Sequence, residues 1–147
     1  MVRTIAAVIL GYLTLAVVVM VTFAAVHPVL GVDRLFNPGT YDPSAGWIAL
    51  SFLLGVISAV AGGWIAARVA PGTSAPVWLA ALVFVLGAVV AVPAIMNSDE
   101  RGGPRPEGVT MSEAMTNARQ PGWVALLNPV IGAAGVFLGA GWHRRRH

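Results

Sequence analysis

The sequence predicts an all-α integral membrane protein, a bundle of four transmembrane helices. Three observations carry that expectation. Four long stretches hold no charged side chain, five tryptophans fall at the ends of those stretches, and all six acids lie in the connections on one side. The composition agrees: 57% of the residues are hydrophobic and 10% charged, whereas soluble domains are about a quarter charged. Disorder needs the opposite balance of low hydrophobicity and high net charge.

The uncharged stretches are 4–26, 45–67, 76–96 and 122–142. Each reaches the ~20 residues that a helix needs to cross a hydrocarbon core of ~30 Å. The first has Arg3 before it, as a signal peptide would, but it exceeds the roughly 7–15-residue apolar segment of such a peptide. It reads as a retained helix. Residues 27–44 form a first connection on the outer side, with Val29, Leu30, Val32, Leu35 and Phe36 expected to lie on the bundle top. A short connection, 68–75, joins the second and third spans on the inner side.

Residues 97–121 are the main hydrophilic stretch. Thr110 and Glu113 have capping-box spacing, and Met111, Ala114, Met115 and Ala118 share one helical face. A short helix over 111–119, lying in the outer interface, is expected before Pro121 restarts the chain. After the fourth span a basic tail, 143–147, ends the sequence.

Trp47 and Trp123 open the second and fourth spans, Trp64 and Trp142 lie near their far ends, and Trp78 opens the third. Indoles anchor at the membrane–water interface because the ring is apolar and its N–H stays wet. All five are expected there, together with Arg144, Arg145 and Arg146. An even span number puts both termini on one side. Arg3, Arg68 and the terminal arginines lie there, facing Arg34, Arg101, Arg105 and Arg119 on the other. The terminal cluster places both termini in the cytoplasm by the positive-inside rule and gives the tail anionic headgroups to meet. Arginine without lysine suggests a GC-rich bacterium, hence a bacterial inner membrane. In intact cells an impermeant thiol reagent should label Ser98→Cys and spare Ser74→Cys; the reverse pattern would invert the topology.

The second and fourth spans begin alike, Gly46-Trp47-Ile48-Ala49-Leu50 and Gly122-Trp123-Val124-Ala125-Leu126, at an offset of 76 residues, and Leu10-Gly11 matches Leu86-Gly87 at the same offset. A duplication of that kind would give two parallel hairpins related by a pseudo-two-fold axis along the membrane normal. Small residues line the helices: Ser51, Gly55, Ala59 and Gly63 on the second span, and Asn128, Gly132, Gly135 and Gly139 on the fourth. In lipid, helices associate by close backbone approach, which small faces permit. Asn128-Pro129 lies inside the fourth span, so a kink is expected at Pro129. Asn128 should find a hydrogen-bond partner, with Ser51, Ser58 and Thr22 in reach.

The chemistry excluded is broad. The absence of cysteine removes disulfides and thiolate sites, no metal-ligand spacing or cofactor motif occurs, and no span carries an ionisable group of the kind that marks proton or ion paths. No catalytic constellation is visible, and the basic residues do not form a nucleic-acid face. The expected partners are the lipid bilayer and other membrane helices. The sequence therefore reads as a non-enzymatic protein acting through helix packing, as a homo-oligomer or as an accessory subunit of a membrane complex. The alternative is a channel or facilitator for a small neutral solute or lipid.

Overall fold

The computed structural model describes residues 1–96 and 104–145. Outside the described residues lie Ser98, Asp99, Glu100, Arg101 and Arg146, together with the side chains of Arg144 and Arg145, so the expectations for these groups are not addressed by it. The described chain is helical: α1 Val2–Leu30, α2 Val32–Leu35, α3 Ala45–Val69, α4 Ala75–Met96, α5 Met111–Thr116 and α6 Gly122–Arg145. Two isolated β-bridges are its only extended pairings. Four helices (α1, α3, α4 and, over Gly122–His143, α6) are long and apolar enough to cross a membrane.

Local chemistry sets the ends of these helices. α1 runs past the expected 26, through Pro28, to Gly31, whose φ of 71° is left-handed and whose N–H bonds the His27 carbonyl. A glycine adopts that conformation without penalty. At α3 the Ser44 hydroxyl accepts a hydrogen bond from the Trp47 N–H at 3.2 Å and donates to the Arg34 carbonyl at 2.7 Å. Ser44→Ala should therefore cost about 0.5–2 kcal/mol, measurable as a lower unfolding midpoint with the helix content retained. Thr110 caps α5 by accepting from the Glu113 N–H. α6 starts directly after Pro121, whose carbonyl takes the N–H groups of Val124 and Ala125.

Around the bundle the order is α1, α3, α6, α4, with broad contacts at α1–α3, α3–α6 and α4–α6 and a slighter one between α1 and α4. We call the end carrying the chain termini the terminal end and the opposite one the cap end. At the terminal end the helices close to backbone distance. A Cβ at Gly62 would lie 2.7 Å from the Gly11 carbonyl oxygen, and one at Gly11 would lie 2.7 Å from a Leu79 methyl. Between α3 and α6, a Cβ at Gly63 would collide with the Val136 backbone and one at Gly139 with the Val60 backbone, while one at Gly135 would stand 2.7 Å from the Ala59 Cβ. The contact is reciprocal: Gly63 and Gly139 share the 76-residue offset, as do Val60 and Val136. Ala59, Ala66, Leu79, Ala80 and Val136 are buried around it.

The cap end is built differently. Leu35, Phe36, Tyr41, Trp47 and Ala114 form a buried cluster, with Phe23, Met111 and Ala118 against it. The two connections that meet there are joined by hydrogen bonds. Arg105 donates its N–H to the Gly39 carbonyl and its Nε to that of Thr40, its guanidinium meets the Asp33 carboxylate at 3.2 Å, and the Arg119 N–H bonds the Tyr41 carbonyl. The short helix turns Met111, Ala114 and Ala118 of its apolar face onto this cluster, while Met115 stays 38% exposed. Burying two apolar connections against one another removes both from water.

Candidate functional site

The small-residue row on α3 has two different surroundings. Ala59 and Gly63 are pressed against Gly135, Val136 and Gly139. One and two turns toward the cap, Gly55 has nothing within 4 Å of where its Cβ would stand, and Ser51 faces the same space. The facing side chains there are Leu15, Val19 and Phe23 of α1, Phe52 of α3, and Ile131 of α6. These are too large for backbone contact, so the helices part and leave a cavity of about 390 Å³. Phe36, Met115, Ala118 and Gln120 roof it, and Trp47 and Val124 close its cap-end wall.

A second cavity of about 300 Å³ lies between α1 and α4 in front of α6, lined by Tyr12, Leu86, Val90, Ala94 and Ala125. The two adjoin, sharing Leu15, Val83, Gln120 and Asn128 as lining residues. No Asp, Glu, Lys, Arg or His lines either space. The polar side chains of the larger cavity are Ser51, Gln120, Asn128 and the Trp47 indole.

Asn128 departs from expectation. The hydroxyls expected to meet it bond their own helices instead: Ser51 to Ile48 at 2.8 Å, Ser58 to Leu54 at 2.7 Å, and Thr22 to Val18 at 2.7 Å. A serine or threonine in a helix reaches the carbonyl one turn back without any rearrangement, which outcompetes a cross-helix bond. Among the described residues the Asn128 amide has no hydrogen-bond partner, and it is exposed to both cavities. Pro129, beside it, supplies no N–H to the Ala125 carbonyl, so a second acceptor lies one turn away. The proline ring is buried: a Cβ at Gly87 of α4 would meet the Pro129 Cγ at 2.9 Å. Gly87 thus serves as the notch that seats Pro129, a role the 76-residue match at Leu86-Gly87 did not reveal. Gly132 likewise faces Val83, with 2.8 Å from its would-be Cβ to the Val83 Cγ1.

The tryptophans divide. Trp78, Trp123 and Trp142 are 62, 57 and 54% exposed on the bundle surface. Trp64 is half-buried, with the Arg68 guanidinium 5.0 Å from its ring centre and the His143 ring edge-on to it. Trp47 is only 8% exposed. It belongs to the cap core, where Phe23 and His27 flank its indole at 5.3 and 5.1 Å between ring centres. His27, one residue beyond the expected first span, lies within α1. Its Nε2 is buried without a hydrogen-bond partner behind the cavity wall.

Among the described residues no three His, Cys, Asp or Glu side chains converge on one point. Comparison of the chain with protein families, with characterised proteins and with solved structures finds no match.

Proposed function

We propose that this chain is a non-enzymatic protein of a bacterial inner membrane that holds an uncharged, mostly apolar molecule, a lipid or small neutral solute, in its cap-end cavity. The observation that carries the reading is the unpartnered Asn128 amide facing a space of about 390 Å³ with no ionisable side chain in its wall. Binding pockets measure roughly 300–1,000 Å³ and are apolar with a few placed polar groups. An amide left unmet among apolar groups within a bilayer is costly, so a ligand hydroxyl or carbonyl would be held there. The competing reading, a packing subunit or homo-oligomer, drew on small-residue faces left over for a partner. The closest glycine contacts are made inside the chain, at Gly11, Gly62, Gly63, Gly135 and Gly139, which leaves that reading less to rest on.

Gly55→Leu tests the proposal, because open space surrounds its Cβ position. Protein purified in mild detergent should retain an uncharged lipid or solute detectable by native mass spectrometry. The variant should lose it while unfolding at the wild-type midpoint. Equal retention by both would refute binding in the cavity.

The fold reading extends the same way. The reciprocal Gly63–Val136 and Gly139–Val60 contacts are what an isologous pairing produces, residue i meeting j and j meeting i. They support two duplicated hairpins, α1–α3 and α4–α6, about an axis through the Ala59–Gly135 contact. The termini, with Arg3 and Arg68 beside them, would face the cytoplasm.

A further inference from the structure

We infer that the occupant of the cap-end cavity is an uncharged membrane lipid bearing a hydroxyl or carbonyl group, and that it enters sideways between α1 and α4. The inference rests on the cavity being a binding site and adds the ligand class and its route.

The route follows by closing the others. Toward the terminal end Ser58, Ala59, Leu79 and Val136 are 0 or 1% exposed, and the Gly63–Val136 contact leaves no gap. No path therefore crosses from one end of the bundle to the other, and the cavity is blind. Above it, the roof is held by backbone bonds from Arg105 to Gly39 and from Arg119 to Tyr41, and by the Arg105 side chain on Thr40. Of the four lateral seams, three are in broad contact and that between α1 and α4 is the most slightly packed. These helices meet at the terminal end, at Ala7, Ala75, Gly11 and Leu79. Nearer the cap they flank the second cavity, whose wall residue Val90 is 71% exposed on the outside of the bundle. That cavity adjoins the first at Leu15, Val83 and Asn128. A molecule taking this path passes only apolar side chains, the Tyr12 phenol and the amides of Asn128 and Gln120. No cation lies along it to pair with a phosphate, so an anionic headgroup would be desolvated without compensation. A hydroxyl or ester carbonyl would instead meet the Asn128 amide, its chains lying along Leu15, Phe52 and Ile131.

The test uses the full chain in phosphatidylcholine vesicles containing a diacylglycerol with a diazirine in its acyl chain. A diazirine-labelled phosphatidylglycerol and a water-soluble diazirine alcohol serve as comparators. Two variant sets separate the routes: Val90→Trp and Ala94→Trp crowd the α1–α4 side, while Thr40→Cys/Pro104→Cys locks the roof. The latter pair form an antiparallel bridge, whose Cα spacing of about 4.5–5.5 Å suits a disulfide. On illumination, the diacylglycerol should mark Leu15, Val19 or Ile131, with at least a several-fold drop in initial rate for the tryptophan variants and none for the oxidised lock. Loss of marking in the locked form alone would overturn the lateral route and leave the binding site standing. Equal marking by phosphatidylglycerol, or marking by the soluble alcohol only, would overturn the lipid class. No cavity residue marked by any probe would remove the binding site itself.

Discussion

Gly63→Ala and Gly139→Ala each destabilise the bundle by about 1–3 kcal/mol or more, the cost of overpacking a close contact, and by nearly equal amounts. In a helix with open space around it, the same change would help by up to about 1 kcal/mol, so the sign itself is informative. At both positions the added methyl meets backbone, Val136 opposite Gly63 and Val60 opposite Gly139, and backbone cannot rotate away as a side-chain end can. Gly55→Ala, on the same face of α3 but with nothing within 4 Å, should be neutral or mildly stabilising. Equilibrium unfolding in mixed detergent micelles gives all three values. Equal losses at positions 63 and 139 would support equivalent places in a duplicated pair of hairpins. A large loss at one and none at the other would argue against equivalence.

Trp47→Ala should have the largest effect of any tryptophan change, about 3–5 kcal/mol for truncating a buried aromatic. Its indole joins α1, through Phe23 and His27, to the cap, through Leu35, Phe36 and Ala114. The expected result is release of the cap before the helices separate, seen as rapid tryptic cleavage at Arg34 and Arg119 in protein that keeps its helix content. Trp78→Ala, on the surface, should change stability by no more than about 0.5 kcal/mol. An unchanged cleavage rate in Trp47→Ala would mean that the cap is held by its hydrogen bonds alone.

The four long helices were legible because length and the absence of charge are properties of single segments, and α5 because Thr110 and Glu113 carry a local cap. The small faces were legible as faces, but not where they close. Gly55 and Gly63 look alike in the sequence, and only the residues opposite them, Leu15 and Ile131 against Val136 and Gly139, decide which meets backbone and which meets a void. The cap was not legible for a similar reason. Taken alone, Leu35 and Phe36 on one connection read as lying on the bundle top, and Met111 and Ala114 on the other as the face of an interfacial helix. They bury one another across more than 70 residues of sequence, and Arg105, a loop charge by composition, holds them with a side chain only 8% exposed. Asn128 was visible as a polar group in an apolar helix; that Ser51, Ser58 and Thr22 would turn back to carbonyls one turn earlier in their own helices depends on rotamers that the sequence does not carry.

The bundle is sealed at its terminal end and hollow toward its cap. Anomalous diffraction from delipidated crystals under xenon pressure reads this directly, since xenon enters apolar cavities. Xenon is expected between Leu15, Gly55 and Ile131, with none at Gly63 or Gly139. A bundle without xenon at the cap end, its space filled by repacked side chains, would contradict the claim.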